Sequence, residues 1–260
     1  MPATEWLNKY ESIKDKLACK TDLDAYFTEK VIGNMGVDVL DIGAQSTRPG
    51  HIPVTAEEEW GRLRPVLEVL SGRVTIPVSI DTYYPEVAAR ALEAGAHIIN
   101  DVSGSLQNGM PGVAARYGAG LVMMHAGGGA DDEGGADAAG AVRAYFLEAL
   151  EAAEQAGLAR EAVCLDPGIG FGKPRLGDVQ LIARLPQVLA GLPETAVLVG
   201  ASRKRVVGMW CGNPPFEERL PGTLAIHTLA QWNGAHILRV HDVAPAVQAA
   251  RVADACRRER

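Results

Sequence analysis

The chain has few cysteines, and they stand far apart. Cys19, Cys164, Cys211 and Cys256 form no CxxC pair. This spacing excludes the disulfide framework of a small secreted domain and a zinc site built from paired cysteines. The pattern is typical of reduced thiols in a protein of the cytoplasm.

Excess positive charge and long apolar runs are also lacking. The formal net charge is −7, which argues against a general nucleic-acid-binding surface. No segment reaches the ~18 apolar residues of a membrane-spanning helix, and the charged residues 1–16 do not resemble a signal peptide. We therefore expect a soluble cytoplasmic protein with neither nucleic acid nor membrane as partner.

What the chain does have is an alternation of short apolar runs with helical patterns. Continuous apolar runs are typical of parallel strands buried on both faces. Seven such runs cover residues 37–43, 76–82, 96–101, 120–125, 162–168, 196–202 and 235–242. At 260 residues and 47% hydrophobic composition, and without a linker or shift in composition, the chain is predicted to be one parallel α/β domain.

Helical patterns occupy the intervals between these runs. Thr55 is a candidate N-cap with Glu58 three residues later, and Pro85 and Gly95 mark the start and end of the next helix. Further helices are predicted at 21–36, 140–157, 177–192, 219–234 and 244–258. A doubly wound open sheet and a closed barrel both fit this order. The absence of a GxGxxG loop after the first run, and the polar residues that end nearly every run, favour the barrel.

One strand is missing from this count. Residues 1–20 have the pattern of a charged amphipathic helix, so no convincing strand precedes the helix at 21–36. The prediction is an α/β fold of the (β/α)8 TIM-barrel type whose first strand and following loop are missing or diverged. Residues 1–20 form a helical extension in this prediction, and 21–260 form the barrel domain.

Acceptors and amide groups at strand ends predict recognition of a flat heterocycle. Asp81, Asn100 and Asp166 end three different runs, and a barrel brings such ends to one mouth. A carboxylate accepts two adjacent N–H bonds and an amide both donates and accepts, so the set suits an amino-pyrimidinone edge. Phe171, in the glycine-rich "LDPGIGFGK", could cover one face of the ring. Ordinary strand-end capping is the alternative for Asn100 and its neighbour Asp101.

Basic residues predict an anion site at the same mouth. Cations after strands 7 and 8 suit a phosphate or pyrophosphate, which barrels often bind there. The candidates are Arg48, Arg203, Lys204, Arg205, Arg239 and His241. No metal site is identified, because the acidic pair Asp131 and Asp132 in the loop 125–137 lacks a third ligand at a suitable spacing.

Five motifs in order along the chain resemble the signatures of the dihydropteroate synthase family. They are "DIGAQSTRPG", "SIDTYYPEVAARALEAGAHIINDVSG", "LDPGIGFGK", "GASRKR" and "LRVHDV". The resemblance runs from about Leu23 to the C-terminus. It implies a TIM barrel, in most members a homodimer, that joins 6-hydroxymethyl-7,8-dihydropterin pyrophosphate to p-aminobenzoate with the assistance of Mg2+. The products would be 7,8-dihydropteroate and pyrophosphate, in folate biosynthesis.

The resemblance also implies roles for individual residues. The residues that match pterin-holding positions of the family are Asp81, Asn100, Asp166 and Lys204. Those that match pyrophosphate-binding positions are Thr47, Arg48, Arg239 and His241. Pro49 and the helix start after Lys204 would line the p-aminobenzoate side. The catalytic set would be Arg48, Lys204, Arg239 and His241, because cations stabilise the charge that develops on the departing pyrophosphate.

The chain departs from the family pattern at three places, which leaves other functions open. The Asn-Val-Thr-Pro-Asp-Ser-Phe-type motif of the first loop is absent, Arg205 replaces a usual serine, and "AGGG" follows His125 where the family usually has Met-Arg-Gly. A non-catalytic or partner-completed pterin-binding barrel is one alternative. A methyltetrahydrofolate-binding barrel of a methyltransferase is another, although it would have little use for the two basic motifs. The first departure bears on metal binding and turnover, the other two on amine specificity.

Overall fold

A closed barrel of eight parallel strands forms the centre of the molecule. The computed structural model describes residues 4–7, 37–45, 52–127, 137–174 and 176–259. The strands are β1 Thr4–Leu7, β2 Leu40–Gly43, β3 Val78–Thr82, β4 Ile98–Asp101, β5 Gly120–Met124, β6 Val163–Asp166, β7 Ala196–Val199 and β8 Ile237–Val240. Each strand pairs in parallel with its neighbours in chain order, which confirms the predicted α/β barrel.

The predicted absence of the first strand is corrected by the structure. Thr4–Leu7 pairs in parallel with β2, where Trp6 is opposite Asp41, and with β8, where Thr4 is opposite Arg239. The strand has only four residues, too few to show a periodicity, and its backbone finds hydrogen-bond partners on both sides once the barrel exists. The helical prediction for 1–20 is therefore wrong at Thr4–Leu7. The rest of 1–20 and the predicted helix at 21–36 lie outside the described residues.

Within the described ranges, nine α-helices surround the barrel. They are α1 Ala56–Leu70, α2 Pro85–Glu93, α3 Met110–Tyr117, α4 Ala138–Gln155, α5 Gly177–Ala183, α6 Leu185–Leu189, α7 Arg205–Trp210, α8 Leu220–Trp232 and α9 Val243–Arg258. Short 3-10 turns lie at Arg160–Ala162 and Phe216–Glu218. None of these helices has the length and hydropathy needed to span a bilayer.

Helix ends follow the predicted signals in most places. Thr55 caps α1 by accepting a hydrogen bond from the backbone of Glu58 at 3.2 Å, and α2 begins at Pro85. The single helix predicted over 177–192 is two helices, because Pro186 follows the junction at Arg184 and cannot continue the ladder of the preceding helix. The pattern missed α3, whose eight residues carry a Pro and a Gly.

The main core lies between the barrel and the helices. Its largest fully buried side chains include Phe146, Leu40, Leu63, Leu70, Ile80 and Ile99. A smaller cluster of Val122, Cys164 and Leu198 joins the neighbouring strands β5, β6 and β7. Cys164 is thus a buried free thiol, and Cys211 and Cys256 are free and exposed, while Cys19 lies outside the described residues. The barrel leaves one end, where the carboxyl ends of the strands meet, free for polar side chains.

Candidate active site

Three carboxylates and an amide are buried on four strands of the barrel. Asp81, Asn100 and Asp166 lie at or near the carboxyl ends of their strands, whereas Asp41 lies two residues before the end of β2. Asp81, Asn100 and Asp166 expose 3%, 3% and 7% of their surface, and Asp41 exposes none. In the parallel register Asp81 lies opposite Asn100, and Met124 lies opposite Asp166. Burial raises the pKa of all three carboxyl groups, most strongly that of Asp41. The sequence prediction that Asp81, Asn100 and Asp166 end their strands within one barrel is confirmed.

Arg239 reaches from β8 to two of these carboxylates. Its Nη2 atom lies 2.6 Å from Asp81 Oδ2 and 3.5 Å from Asp41 Oδ2. Gly200 leaves room for this arm, since a Cβ there would lie 3.2 Å from Arg239 Cβ. The nearby guanidinium opposes the rise in pKa that burial causes at Asp41 and Asp81. Arg239 of the predicted cationic half thus contacts Asp81 of the predicted heterocycle half, so the two halves adjoin.

Lys204 follows β7, and its side chain contacts the loop after β6. Its Nζ donates to Ile169 O at 2.6 Å and lies 4.5 Å from the centroid of the Phe171 ring. Burial lowers the pKa of Lys204 to about 8, while the charge of Asp166 opposes this shift. The face of Phe171 thus meets an ammonium group, a favourable cation–π contact.

Asn100 and Asp101 are adjacent in β4 but differ in their hydrogen-bond partners. Among the described residues Asn100 Oδ1 has no hydrogen-bond partner. Asp101, in contrast, accepts from Ser103 N at 2.9 Å and from Asn108 Nδ2 at 2.8 Å, and so shapes the loop after β4. The capping alternative is correct for Asp101. A buried amide oxygen without a partner costs free energy unless a ligand satisfies it, so Asn100 is a candidate binding group.

His241 does not act as the cation that the sequence suggested. Burial lowers the pKa of His241 to about 4, helped by the charges of Arg239 and Arg203. Its backbone N–H donates to Ser202 Oγ at 3.2 Å, and its Nδ1 lies 2.8 Å from the same oxygen. Ser202 can then donate its proton to Nδ1, which leaves the proton of the neutral ring on Nε2. His241 is a neutral hydrogen-bonding group in the folded protein.

Two further predicted cations have structural partners. Arg203 forms a two-pronged ion pair with Asp242, with Nε to Oδ2 at 2.9 Å, and its guanidinium lies 5.2 Å from the Phe216 ring. Arg205 is exposed, and its Nη2 lies 3.4 Å from Lys173 O. In this structure Arg203 is therefore engaged by Asp242, whereas Arg205 is exposed.

Helix α8 supports the turn that carries Ser202, Arg203 and Lys204. His227 Nε2 accepts from Ala201 N at 3.0 Å, and Thr223 Oγ1 accepts from Arg203 N at 2.9 Å. Arg203 has a φ of 55°, a left-handed conformation that a non-glycine residue adopts only when its surroundings hold it. The two side chains of α8 provide that support.

Thr47, Arg48 and Pro49 lie outside the described residues, but the chain on both sides of them is anchored. Arg62 donates to Ala44 O at 3.0 Å, and Tyr84 donates to Val54 O at 2.7 Å. Gln45 donates to Glu59 Oε2 at 3.0 Å and accepts from the Tyr83 hydroxyl at 2.7 Å. Glu59 also accepts from Thr82 Oγ1 at 3.0 Å.

Glu59 is predicted to make stability depend on pH. Glu59 is fully buried, and burial raises its pKa from 4.5 to about 7. The folded state thus holds this proton more tightly than the unfolded state. Stability should fall as pH rises from about 4.5 to about 7, by roughly 3 kcal/mol in order of magnitude.

Glu59→Gln, which mimics the protonated carboxyl, should remove this portion of the pH dependence. The test is the difference in unfolding free energy between the two proteins, measured in urea from pH 4.5 to 8. The variant should gain stability relative to the unaltered protein as pH rises. A difference that is flat across this range would contradict the assignment.

Sequence reasoning placed Ser202 among the polar strand ends at the barrel mouth, but it assigned no role to Lys173 and did not single out Glu59. Lys173 and Ser202 stand inside motifs that were noticed, but their partners are backbone atoms and a neighbouring ring nitrogen, which no spacing reveals. Glu59 resembles its exposed neighbours Glu57 and Glu58, and its burial depends on how α1 packs. The helical periodicity that brings Glu59 to the same face as Leu63 and Val66 is the one available signal.

The described residues contain no group of three or more His, Cys, Asp or Glu side chains able to hold a metal ion. Asp41 and Asp81 are close to each other, but Arg239 occupies the position between them. The described part of the site therefore does not fit a metal held by protein ligands alone.

Comparison with known proteins agrees with this geometry. The family described as "Pterin binding enzyme" matches residues 10–241. The dihydropteroate synthase of Escherichia coli K12 is 40% identical over 238 residues, which cover 90% of this chain and 83% of that protein. A Xanthomonas albilineans dihydropteroate synthase solved with 4-aminobenzoic acid has a TM-score of 0.83 and 40% identity, covering 91% of this chain and 85% of that one.

A second structure of the enzyme from that organism, in complex with 7,8-dihydropteroate, has a TM-score of 0.80 and 35% identity over 98% of this chain and 93% of that one. Family match, sequence identity and fold all agree over most of the length of both partners. The chain belongs to the pterin-binding enzyme family and, within it, to the dihydropteroate synthases.

Proposed function

We propose that the chain condenses 6-hydroxymethyl-7,8-dihydropterin pyrophosphate with p-aminobenzoate to give 7,8-dihydropteroate and pyrophosphate, a transferase reaction of folate biosynthesis. The observation that carries this function is the buried group of Asp81, Asn100 and Asp166 with Lys204 and Arg239 at one end of the barrel. It occurs in a chain 40% identical to the Escherichia coli enzyme.

The pterin would bind through its polar edge. Asp166 and Asn100 offer a carboxylate and an unpartnered amide oxygen to the N–H groups of an amino-pyrimidinone, and Lys204 can donate to its ring oxygen or nitrogen. Because Asn100 and Asp166 are buried and Lys204 is partly buried, a ligand lacking the matching hydrogen bonds would leave them unpaired. The arrangement thus selects for a heterocycle with adjacent donors.

The chemical step would be the departure of pyrophosphate. The C–O bond between the pterin methylene and the pyrophosphate breaks with its electron pair on oxygen, and the aromatic amine forms the new C–N bond. The amine nitrogen then loses one proton to solvent. Arg239 and the proton on His241 Nε2 stabilise the charge on the leaving oxygen, while Asp81 stabilises the cationic carbon. Arg48 and Thr47 would add to the pyrophosphate side, and Pro49 with the start of α7 to the amine side.

In this proposal Mg2+ enters the site bound to the pyrophosphate of the substrate. Mg2+ is commonly held by one or two carboxylates together with substrate phosphates and water. Since the described residues do not form a metal site of their own, the ion would arrive with the pyrophosphate and offset its negative charge. Arg239 and His241 would act on the pyrophosphate whether or not the ion is bound.

The alternatives lose their main support. A non-catalytic or partner-completed barrel was favoured by the missing first strand, and β1 closes the barrel within the chain. A methyltetrahydrofolate-type barrel would have little use for the basic motifs "STRPG" and "SRK", and this chain carries both. Location in the cytoplasm is proposed from the scattered cysteines, with the free thiols of Cys164, Cys211 and Cys256 in agreement.

The direct test of the function is pyrophosphate release by purified protein. Release should require dihydropterin pyrophosphate, p-aminobenzoate and Mg2+ together, and Asp81→Ala should abolish it. Glu86, exposed on α2, provides the control variant Glu86→Ala. Release that continues without p-aminobenzoate, or no release with native protein, would reject the synthase function.

We also propose that the chain forms a homodimer through α8 and α9. Leu224, Thr228, Trp232, Val252 and Cys256 line a groove between these two helices. Trp232 and Val252 expose 39% and 65% of their surfaces, more apolar area than a lone surface side chain leaves uncovered. A second copy of the same face would cover both.

Trp232→Glu combined with Val252→Glu should convert the dimer to a monomer in sedimentation velocity at micromolar concentration. Leu147, exposed by 47% on α4, supplies the control, and Leu147→Glu should leave the dimer intact. A native protein that sediments as a monomer would contradict the proposal directly.

A further inference from the structure

Lys173 is a buried lysine whose ammonium group faces only backbone oxygens. It exposes 7% of its surface. Its Nζ donates to Gly168 O at 2.7 Å, to His125 O at 3.0 Å and to Phe171 O at 3.2 Å. A lysine ammonium has three donors, and here three carbonyl oxygens use all of them. The group resembles a monovalent cation inside a ring of carbonyls.

The carbonyls converge because the loop after β6 has an unusual backbone. Gly168, Gly170 and Gly172 have φ values of 65°, 84° and 60°, so left-handed residues alternate with ordinary ones. This loop also lies directly on the loop after β5. A Cβ at Gly168 would lie 2.0 Å from His125 O, and one at Gly127 would lie 2.5 Å from Gly172 O. Only glycine permits this approach.

Two of the proposed pterin-binding residues depend on that loop. Gly168 N donates to Asp166 Oδ1 at 2.7 Å, and Ile169 O accepts from Lys204 Nζ at 2.6 Å. Phe171, whose carbonyl Lys173 holds, presents its ring to Lys204 at 4.5 Å. The position of the Lys173 ammonium therefore fixes the orientation of both a carboxylate and a cation in the site.

The charges around Lys173 match a fixed internal cation. Asp178 of α5 is buried and accepts from Gly170 N at 2.9 Å, and Asp166 accepts from Gly168 N at 2.7 Å. Both carboxylates favour the charged form of Lys173, against the burial that lowers its pKa to about 8. The other ionisable neighbours are His125, Lys204 and Arg205, of which Arg205 contacts the carbonyl of Lys173 at 3.4 Å.

We propose that Lys173 is a positioning residue that holds the loop 168–172 as a built-in monovalent cation and does not touch substrate. This inference rests on the proposed function in one respect, namely that the ligand bound by Asp166 and Lys204 is a pterin. It predicts that a separate small cation can replace the lost ammonium group.

The experiment is chemical rescue of Lys173→Ala. The variant should lose kcat/KM for dihydropterin pyrophosphate by about 10²-fold, because its binding groups are displaced. Propylammonium, which supplies the missing arm and charge, should restore at least a tenth of the lost activity in a saturable manner, whereas propanol and tetramethylammonium should not. A variant as active as the native protein, or one that no cation restores, would overturn the proposal.

The same variant separates this inference from the synthase function. Without any substrate, propylammonium should raise the thermal midpoint of Lys173→Ala by several degrees and leave that of native protein unchanged. This result is expected even if native protein releases no pyrophosphate, in which case only the proposed function fails. An equal effect on both proteins would count against the carbonyl ring.

Amine labelling of native protein provides a test that needs no variant to fold. A small acylating reagent should leave Lys173 unmodified with or without pterin, because its donors are occupied by the protein. Lys204 should react in free protein and become protected when a pterin is added. Modification of Lys173 that pterin suppresses would make it a ligand-contacting residue and would overturn the proposal.

Discussion

Arg239→Met should lower kcat/KM for pyrophosphate release by about 10³-fold, the range seen when one preorganised charge-stabilising donor is lost. The side chain is the link between Asp81, at 2.6 Å, and Asp41, at 3.5 Å. Its removal takes away a cation of the leaving-group side and also leaves two buried carboxylates without their partner. Their pKa values, already raised by burial, should then rise further.

Steady-state kinetics and thermal unfolding together test this prediction. Arg64, exposed on α1, supplies the control, and Arg64→Met should change neither. Arg239→Lys should recover part of the stability, because it restores a charge, but little of the activity, because an ammonium lacks the second nitrogen of the guanidinium. A loss of activity smaller than tenfold in Arg239→Met would place pyrophosphate stabilisation elsewhere in the chain.

Lys204→Met is expected to have the second large effect, a loss of pterin binding of about 10²-fold or more, since a hydrogen bond to a charged group and its buried partners are lost together. The same variant should be more stable at neutral pH. Folding lowers the pKa of Lys204 from 10.5 to about 8, so the buried charge destabilises the fold below about pH 8. That cost declines as pH rises towards 10.5 and is absent in the methionine variant.

The pH dependence of kcat/KM reports the same group in free enzyme. Activity should fall as pH rises through about 8, because the ammonium becomes neutral. Lys204→Arg keeps its charge at every accessible pH and should lose this decline, at a lower absolute rate. Lys173 has a similar pKa, so a decline that persists in Lys204→Arg would be assigned to Lys173. Calorimetric titration with pterin checks the affinity, and Lys204→Met that binds pterin normally would contradict the assignment.

Much of the fold could be predicted because it depends on local pattern. Continuous apolar runs identified seven strands to within about three residues at each end, and the cap at Thr55 and Pro85 marked two helix starts. β1 could not be found, since four residues carry no periodicity and its pairing partners lie at β2 and at the far end of the chain. The break within 177–192 was readable from Pro186 but was outweighed by the helical pattern around it.

The residues of the site could largely be predicted, but the contacts among them could not. Asp81, Asn100 and Asp166 could be predicted as site residues from their positions at strand ends, because a barrel brings such residues together whatever their sequence separation. The pairing of Arg203 with Asp242, the neutral state of His241 and the carbonyl ring around Lys173 depend on distances and burial. None of these is encoded in residue type or spacing. A basic residue in a motif therefore indicates a charge near the site, and only the structure tells whether substrate or protein uses it.

The position of β1 has a consequence for how the protein folds during synthesis. β1 pairs on one side with β2 and on the other with β8, so Thr4 meets Arg239. Until β8 has been synthesised, the growing sheet has two open edges. β1, the first strand of the barrel, cannot complete its pairing before β8, the last strand, is available. Such long-range closure is slow, and the exposed edges can pair with other chains in the meantime. The nascent chain is thus most vulnerable to aggregation before Val240 leaves the ribosome.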